Sequence, residues 1–466
     1  MRSTAGIVLA AALSIWMSGC AGTSALDAPE EGRTEAYEPG APNFDMESVV
    51  RVEDDRASVE IYYSFPFASL VFVQSNERFE AEYEMVVRLI DRSTERVEAE
   101  QSDIGRLTVS SYDSTLGFHP HSGRLSLRAS PGDYVVRAVM TDVETRARAE
   151  RRQSVRIVAA GSGDAHLGRI LLEGTGSSGR TEPLVSRHVS ARMDSLFASI
   201  NLYNMQDGSD IDVTMSLVRY ETDSTFAAPP YWFIPSRASL AYRGVNYAAS
   251  DTIQISRRSL AGASDHASVQ FSLPPLERGM YRLRIESRDS SRAVEMVRER
   301  VLSVKNPTFP QISMLDDLIE SLAYIAYDNE IDYIRAGETQ AERKRRFDAF
   351  WGSLVSNRNV AGNLVELYYS RIEEANLFFT GYKEGWMTDR GMIFTILGPP
   401  VYIDRRMDLE IWHYSYGDRD PVNTFVFERA REGREGPFET YILQRRPYYQ
   451  NAWARAIDRW RDGTVL

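Results

Sequence analysis

Gly385-Trp386-Met387-Thr388-Asp389-Arg390-Gly391 runs straight into Met392-Ile393-Phe394-Thr395-Ile396-Leu397-Gly398-Pro399-Pro400, and the rest of the chain is organised around this passage. A large aromatic precedes Thr388 and Asp389, whose short side chains can accept backbone N–H bonds across a turn. Gly391 is free to take φ > 0, and an apolar run then ends on Gly-Pro-Pro. The passage reads as a turn feeding one short buried strand, with Gly391 taking a left-handed step and Trp386 folded over the strand as a lid. Further on, Trp412 and Tyr414 stand two apart and so share one sheet face. Phe425 and Phe427 repeat that spacing, and Tyr441-Ile442-Leu443 supplies a last strand. The expected result is a small antiparallel meander, closed by an amphipathic helix around Trp453, Ala456, Ile457 and Trp460.

On the N-terminal side of this passage the pattern is helical. At Asn306-Pro307-Thr308-Phe309-Pro310 the period changes from two to that of a helix, and Met314, Leu315, Leu318, Ile319, Leu322, Ile325 and Ala326 fall on one helical face. Thr339 and Glu342 have the spacing of a capping box before a helix that carries Phe347, Phe350, Trp351 and Leu354. Asn363 to Phe379 then supplies Leu364, Leu367, Tyr368, Ile372 and Ala375. Stripes of this kind build cores more often than binding sites. Lys344-Arg345-Arg346 reads as a solvated or paired basic run. Residues 307–466 form one α+β unit on this reading.

Upstream the chain is mainly β. Ser58–Phe65, Tyr83–Ile90, Arg124–Arg128 and Asp133–Val139 are β-rich runs between Gly, Pro, Ser and Asp punctuation, which suggests a β-sandwich over 47–160. Phe197–Tyr203 and Ile211–Val218 begin a second over 184–306, with Gly161-Ser162-Gly163 and Gly174–Gly179 marking a linker over 161–183. Gly132, Tyr134, Arg137 and Asp142 recur 147 residues later as Gly279, Tyr281, Arg284 and Asp289. This Gly-x-Tyr start resembles the late strand of immunoglobulin-like or fibronectin-like domains, where a tyrosine closes a corner of the sandwich. The other reading is that Gly-x-Tyr simply recurs at strand starts.

The Gly-Trp-x-Thr-Asp-Arg-Gly pattern, Gly398-Pro399-Pro400 after it and Glu410-Ile411-Trp412-His413-Tyr414 in the next strand resemble the GWxTD-domain family of bacterial envelope proteins. The resemblance covers roughly 310–450, and Tyr62-Tyr63-Ser64-Phe65-Pro66 is similar to an upstream strand of such proteins. Ser356-Asn357-Arg358 stands where members often carry an Asp-Pro-type dipeptide. The order helix, Gly-x-Pro, Trp-x-Tyr strand, Phe-rich strand also resembles the small lipoprotein of the outer-membrane barrel-assembly machinery. The resemblance implies an address in the envelope and no particular reaction.

The start of the chain agrees with that address. Arg2 precedes an apolar run of thirteen residues, Ala5 to Met17, shorter than the roughly 18–20 that span a bilayer and suited to a signal peptide over 1–19. Met17-Ser18-Gly19-Cys20 looks like a lipobox, with Met17 in place of the commoner Leu. Cys20 would then carry the lipid, and two or three acyl chains hold firmly where one holds marginally. An ordinary secretory signal with an incidental Cys20 is the alternative. Cys20 is the sole cysteine, so no disulfide or Cys-zinc site is in use. Residues 20–46 read as a flexible tether. Ala21 and Gly22 give no Asp-type retention signal, which points to the outer membrane by analogy with enteric bacteria.

Composition excludes some functions. With 466 residues and 43% hydrophobic content there is material for three domains. A net charge of −12 argues against nucleic acid, which demands a basic face. Lys305, Lys344 and Lys383 are the only lysines in an arginine-rich chain. Asp389, Asp404 and Glu410 could be paired carboxylates for hydrolysis, but turn-building accounts for Asp389 more cheaply. His119 and His121 straddle Pro120 without a third ligand nearby in sequence, which is weak evidence for a metal. There is no phosphate loop, nucleophile elbow or His-Glu-x-x-His, and no cofactor is expected. Five of the six tryptophans after the signal peptide lie beyond residue 350. They suit either core packing or an anchoring surface.

The expectation is therefore a lipid-anchored, non-catalytic interaction or scaffold protein. It would touch the bilayer through acylated Cys20 and another envelope protein through a groove near Trp386 and Trp412. Gly385, Trp386, Thr388, Asp389, Arg390, Gly391, Glu410, Trp412 and Tyr414 are the candidate site. The rivals are an envelope hydrolase acting on glycan or peptide with the carboxylates of 385–414, and a sugar-binding lipoprotein.

Overall fold

Tyr83, Met85, Val87 and Leu89 are buried while the residues between them are not, and this period of two sets the architecture of the first two thirds of the chain. The structure is a computed structural model. It describes residues 37–465 apart from 54–55, 119, 160–164, 176–178, 187, 191–192, 206–207, 233–243, 264–265, 290–294, 418–419 and 431–439. The expected signal peptide, Cys20 and His119 lie outside these residues. The protein is mostly β, with several sheets and a C-terminal helical region.

In the first β unit, Asp45–Glu53, Arg56–Pro66 and Pro120–Arg128 form a three-stranded sheet. The facing sheet has the order Val73–Ser75, Arg78–Asp91, Gly132–Asp142, Arg148–Ile157, and Val97–Val109 also pairs with Arg78–Asp91. Val59, Ile61 and Leu125 from one sheet meet Met85, Val136 and Ala138 from the other in one core. The second β unit repeats the plan with two five-stranded sheets around Leu172, Ala198, Ile200, Ile211, Val213 and Leu283.

The echo seen in the sequence is a repeat of structure. Gly132–Asp142 pairs with Arg148–Ile157 in the register Gly132↔Ile157 and Tyr134↔Val155. Gly279–Asp289 pairs with Glu295–Lys305 as Gly279↔Val304 and Tyr281↔Leu302, the same register 147 residues on. Each tyrosine donates its hydroxyl to the carbonyl four residues upstream, Tyr134 to Ser130 at 2.9 Å and Tyr281 to Glu277 at 2.8 Å. That bond closes the corner before the strand. Tyr134→Phe and Tyr281→Phe should each lower the stability of their own unit by about 1 kcal/mol, read as a shift in urea midpoint at unchanged slope.

Three expectations are corrected here. The linker expected over 161–183 contains His166–Leu167, Leu171–Thr175 and Thr181–Pro183, all strands of one sheet of the second β unit. Gly174 sits inside one of these strands, and the side chains of Met193 and Leu184 lie close to where its Cβ would be. The tether expected to run to residue 46 is already packed at Tyr37, and its sheet begins at Asp45. The single helix expected from Met314 to Ala326 is the helix Leu315–Glu320 followed by a 3-10 turn, Ser321–Tyr324.

The C-terminal unit holds the helices Asp328–Arg335, Gln340–Leu354 and Arg358–Phe379, a four-stranded antiparallel meander and the closing helix Gln450–Asp462. Thr339 caps Gln340–Leu354 by accepting from Glu342 N at 3.1 Å, while the Glu342 carboxylate accepts from Glu338 N at 3.1 Å and not from Thr339, so half of the expected box is built. No helix among the described residues is long and apolar enough to cross a membrane.

Candidate functional site

Two glycines decide the local geometry. The motif opens on a 3-10 turn, Gly385–Met387, which is wedged against the helix Arg358–Phe379 on one side and a helix Asp389–Leu397 on the other. A Cβ on Gly385 would overlap the carbonyl of Ala375, and a Cβ on Gly391 would overlap the carbonyl of Gly385. Both positions need glycine for close backbone approach. Gly391 therefore takes no left-handed step, and the apolar run after it is a helix instead of the strand expected. Thr388 caps that helix: its Oγ1 accepts from Gly391 N at 3.1 Å and its hydroxyl donates to Gly385 O at 2.7 Å. Gly398, at φ +79°, ends it. The helix is buried from Asp389 to Ile396, its polar residues included, so it has no amphipathic period to betray it.

The polar residues of the motif reach outward from this helix. Asp389 takes both arms of Arg445, Nη2 on Oδ1 at 2.6 Å and Nη1 on Oδ2 at 3.1 Å, and also accepts from Leu443 N at 2.7 Å. Arg445 Nη2 goes on to the carbonyl of Ala228, in a loop of the second β unit, at 2.9 Å. Arg390 lies between the rings of Phe379 and Tyr441, 5.2 and 4.4 Å from their centroids, and donates to Glu410 Oε2 at 3.3 Å. Glu410 also accepts from Trp412 Nε1 at 3.3 Å. The two ion pairs are buried, the Arg390 and Glu410 side chains being 8% and 3% exposed. Tyr414, one residue past the strand Leu409–His413, donates to Gly398 O at 2.8 Å. The nine residues of the candidate site are thus brought into one region.

What they do not form is an open groove. Trp386 and Trp412 are 3% and 0% exposed. Trp386 packs against Tyr324 and Phe226 instead of lying over a strand as a lid. Trp412 packs against Phe379, Phe427 and Tyr37. A shallow pocket does touch the motif, where Asp389, Arg390 and Phe379 face Asp223, Phe226 and Lys383.

The expected carboxylate pair is also not assembled. Asp389 and Glu410 each have a cation of their own, and Asp404 is exposed. Carboxyls held above their ordinary range lie elsewhere. Burial pushes Glu373 up to about 7, helped by Glu374 and opposed by the bond from Ile312 N, and burial also raises Glu374 and Asp317. A raised carboxyl contributes stability below its unfolded value of about 4.5 that is lost as pH rises through about 7. Glu373→Gln should therefore be stabilised relative to wild type by roughly 1–2 kcal/mol at pH 8 and show no gain at pH 4, checked by urea unfolding at the two pH values. Among the described residues no group of three or more His, Cys, Asp or Glu could hold a metal; His121 instead shares its Nε2 with the hydroxyl of Tyr83 at 2.9 Å.

Sequence reasoning missed Arg445, Arg405, Tyr37 and a buried charge cluster just ahead of the motif. There Lys305, fully buried, donates to Tyr382 O at 3.4 Å, and burial lowers it to about 8. Burial alone would raise Glu384, but Lys305 and Arg278 outweigh it and hold the carboxylate below its usual range. Lys383 pairs with Asp223 at 3.1 Å. A lysine in a chain that otherwise uses arginine was the available signal, because two of the three lysines sit at this junction between the second β unit and the motif.

Comparison with known proteins adds a family. Residues 279–462 match the family model of the GWxTD domain. No curated protein matches the chain. Among solved structures, the crystal structure of red sea bream transglutaminase aligns at 10% identity with a TM-score of 0.18, over 56% of this chain and 31% of that one. The alignment spans about a third of that protein, and a likeness of this size carries no argument.

Proposed function

Since the chain is a GWxTD domain-containing protein, with the domain at 279–462, we propose that it is a lipid-anchored envelope protein whose C-terminal unit engages a partner protein without catalysing a reaction. The two β units serve as immunoglobulin-like or fibronectin-like spacers or docking surfaces, and an acylated Cys20 anchors the chain in the outer membrane. One observation supports the non-catalytic reading above others: the polar side chains of the motif bond within the chain. Thr388 caps a helix, Asp389 is spent on Arg445 and Leu443, and Arg390 and Glu410 neutralise one another. A hydrolase needs a carboxylate free to attack or to activate water, whereas Asp389 is bonded to Arg445 and Leu443 N and Glu410 to Arg390 and the Trp412 indole.

The test has two parts. Cys20→Ser should move the protein from the envelope fraction to the soluble one and remove acyl mass; unchanged envelope retention, with no acyl mass on the native form, contradicts the anchor. Intact protein purified in detergent should retain a defined envelope protein that rebinds when both are pure. Hydrolysis of envelope glycan or peptide by the folded wild type, lost in a folded Glu410→Gln variant, would contradict the non-catalytic reading.

A further inference from the structure

The aromatic cluster of the C-terminal unit is completed by a residue from the far end of the chain. Tyr37 is 6% exposed and lies 4.8 Å from Phe378, 5.1 Å from Phe379, 5.8 Å from Phe394 and 5.8 Å from Trp412, ring centroid to ring centroid. Arg405 clamps the same segment from outside, Nη1 on Glu38 Oε2 at 2.6 Å and Nη2 on the carbonyl of Tyr37. Tyr37 is the one aromatic between Ala21 and Asn43. The socket therefore reads out a short pattern, an aromatic followed by an acid.

The strap that carries this pattern runs between two anchors. Past Glu38 the chain turns on itself, with Ala41 N on Glu38 O at 3.0 Å and Gly40 at φ +77°. It then joins the first β unit, where Arg151 reaches Asn43 Oδ1 at 2.7 Å and Phe44 O at 2.9 Å. An open cleft runs beside it, lined by Pro42, Phe65, Phe118, Arg148, Phe309 and Phe378. A competing peptide thus has a route along the strap to the socket.

We propose that the socket of Phe378, Phe379, Phe394 and Trp412, with Arg405 at its rim, is a peptide-binding site. It is closed in cis by Tyr37 and Glu38, and it takes an extended segment of a partner protein in which an aromatic side chain is followed by an acidic one. The proposal rests on the interaction reading above and names the surface and the kind of partner. A partner must displace a segment of the same chain held at high effective concentration, so its apparent affinity is reduced by the fraction of time the socket stands open.

The probe is a fluorescently labelled peptide with the sequence of residues 33–43, added to the full-length protein and followed by anisotropy. Tyr37→Ala in the full chain should bind it saturably. Wild type should bind at least about tenfold more weakly, and a peptide with alanine in place of the tyrosine should not bind. Arg405→Gln added to Tyr37→Ala should weaken binding. If Tyr37→Ala does not fold, a protease site replacing residues 39–42, cut after folding and followed by dialysis, empties the socket of the native protein. Absence of saturable binding to a folded, emptied socket overturns the proposal, and so does equal binding by wild type. In either case retention of a defined envelope partner by wild type would leave the interaction reading standing, whereas loss of that partner with peptide binding intact would remove the reading and keep the socket.

Discussion

Gly391→Ala should lower the unfolding midpoint of the C-terminal unit sharply. The added Cβ would land on the backbone carbonyl of Gly385, and Gly385 is itself pressed against the carbonyl of Ala375 in the helix Arg358–Phe379. Side chains can rotate away from an added methyl; two stacked backbones cannot. Ordinary overpacking costs about 1–3 kcal/mol, and here the relief requires moving a turn and a helix together, so a loss above about 3 kcal/mol is expected. Gly362→Ala, in the same long helix, is the control. Nothing lies within 4 Å of its added Cβ, so the change should stabilise by roughly 0.5–1 kcal/mol through helix propensity alone. Thermal unfolding of both variants beside wild type checks the pair, and similar midpoints for the two would mean that the turn is not wedged as described.

The second large effect concerns Asp389. Asn in its place can still accept from Leu443 N, but it leaves Arg445 buried with its partner charge removed. The two side chains are 6% and 9% exposed, so solvent does little to relieve the loss. Removing one member of a buried pair costs about 3–5 kcal/mol, mostly because the remaining charge is stranded. Asp389→Asn should therefore unfold at markedly lower urea concentration. The effect should extend to the contact with the second β unit, because the same guanidinium holds Ala228 O. A catalytic aspartate would behave in the opposite way, since its replacement leaves the fold intact and removes turnover.

These two positions show what could be read from residues alone. The mainly β character was legible because β-rich runs such as Tyr83–Ile90 stand between turn residues, and because the Gly-x-Tyr start recurs 147 residues on. Long helices were legible through their apolar stripes: the stripe expected from Asn363 lies in Arg358–Phe379. The motif helix was read as a strand because burial on every side erases the period that separates the two, and Met392 to Leu397, apolar except for Thr395, fits either. Thr388 as a cap and Gly391 as a site of close approach become visible only once a helix is assumed.

The parts of the site that were missed share a different cause. Arg445 stands 56 positions from Asp389, and Arg405 stands 368 from Tyr37. Neither carries a local pattern, since ion pairs of this kind depend on topology and not on spacing. Tyr37 was hidden by its neighbourhood. A polar stretch rich in Pro and Gly reads as tether, and one aromatic within it gains order only from a socket built by residues far along the chain. The groove expected near Trp386 and Trp412 does not stand open, and the ring of Tyr37 packs against Trp412 there.

The claim on which the account turns is that the Thr-Asp-Arg residues of the motif hold the C-terminal unit together instead of acting on a substrate. A double-mutant cycle on Asp389 and Arg445, by urea unfolding of Asp389→Leu, Arg445→Met and the double variant, tests it directly. Each single change should cost about 3–5 kcal/mol, and the double change should cost no more than either alone. Single changes within about 0.5 kcal/mol of wild type, adding independently in the double variant, would contradict it.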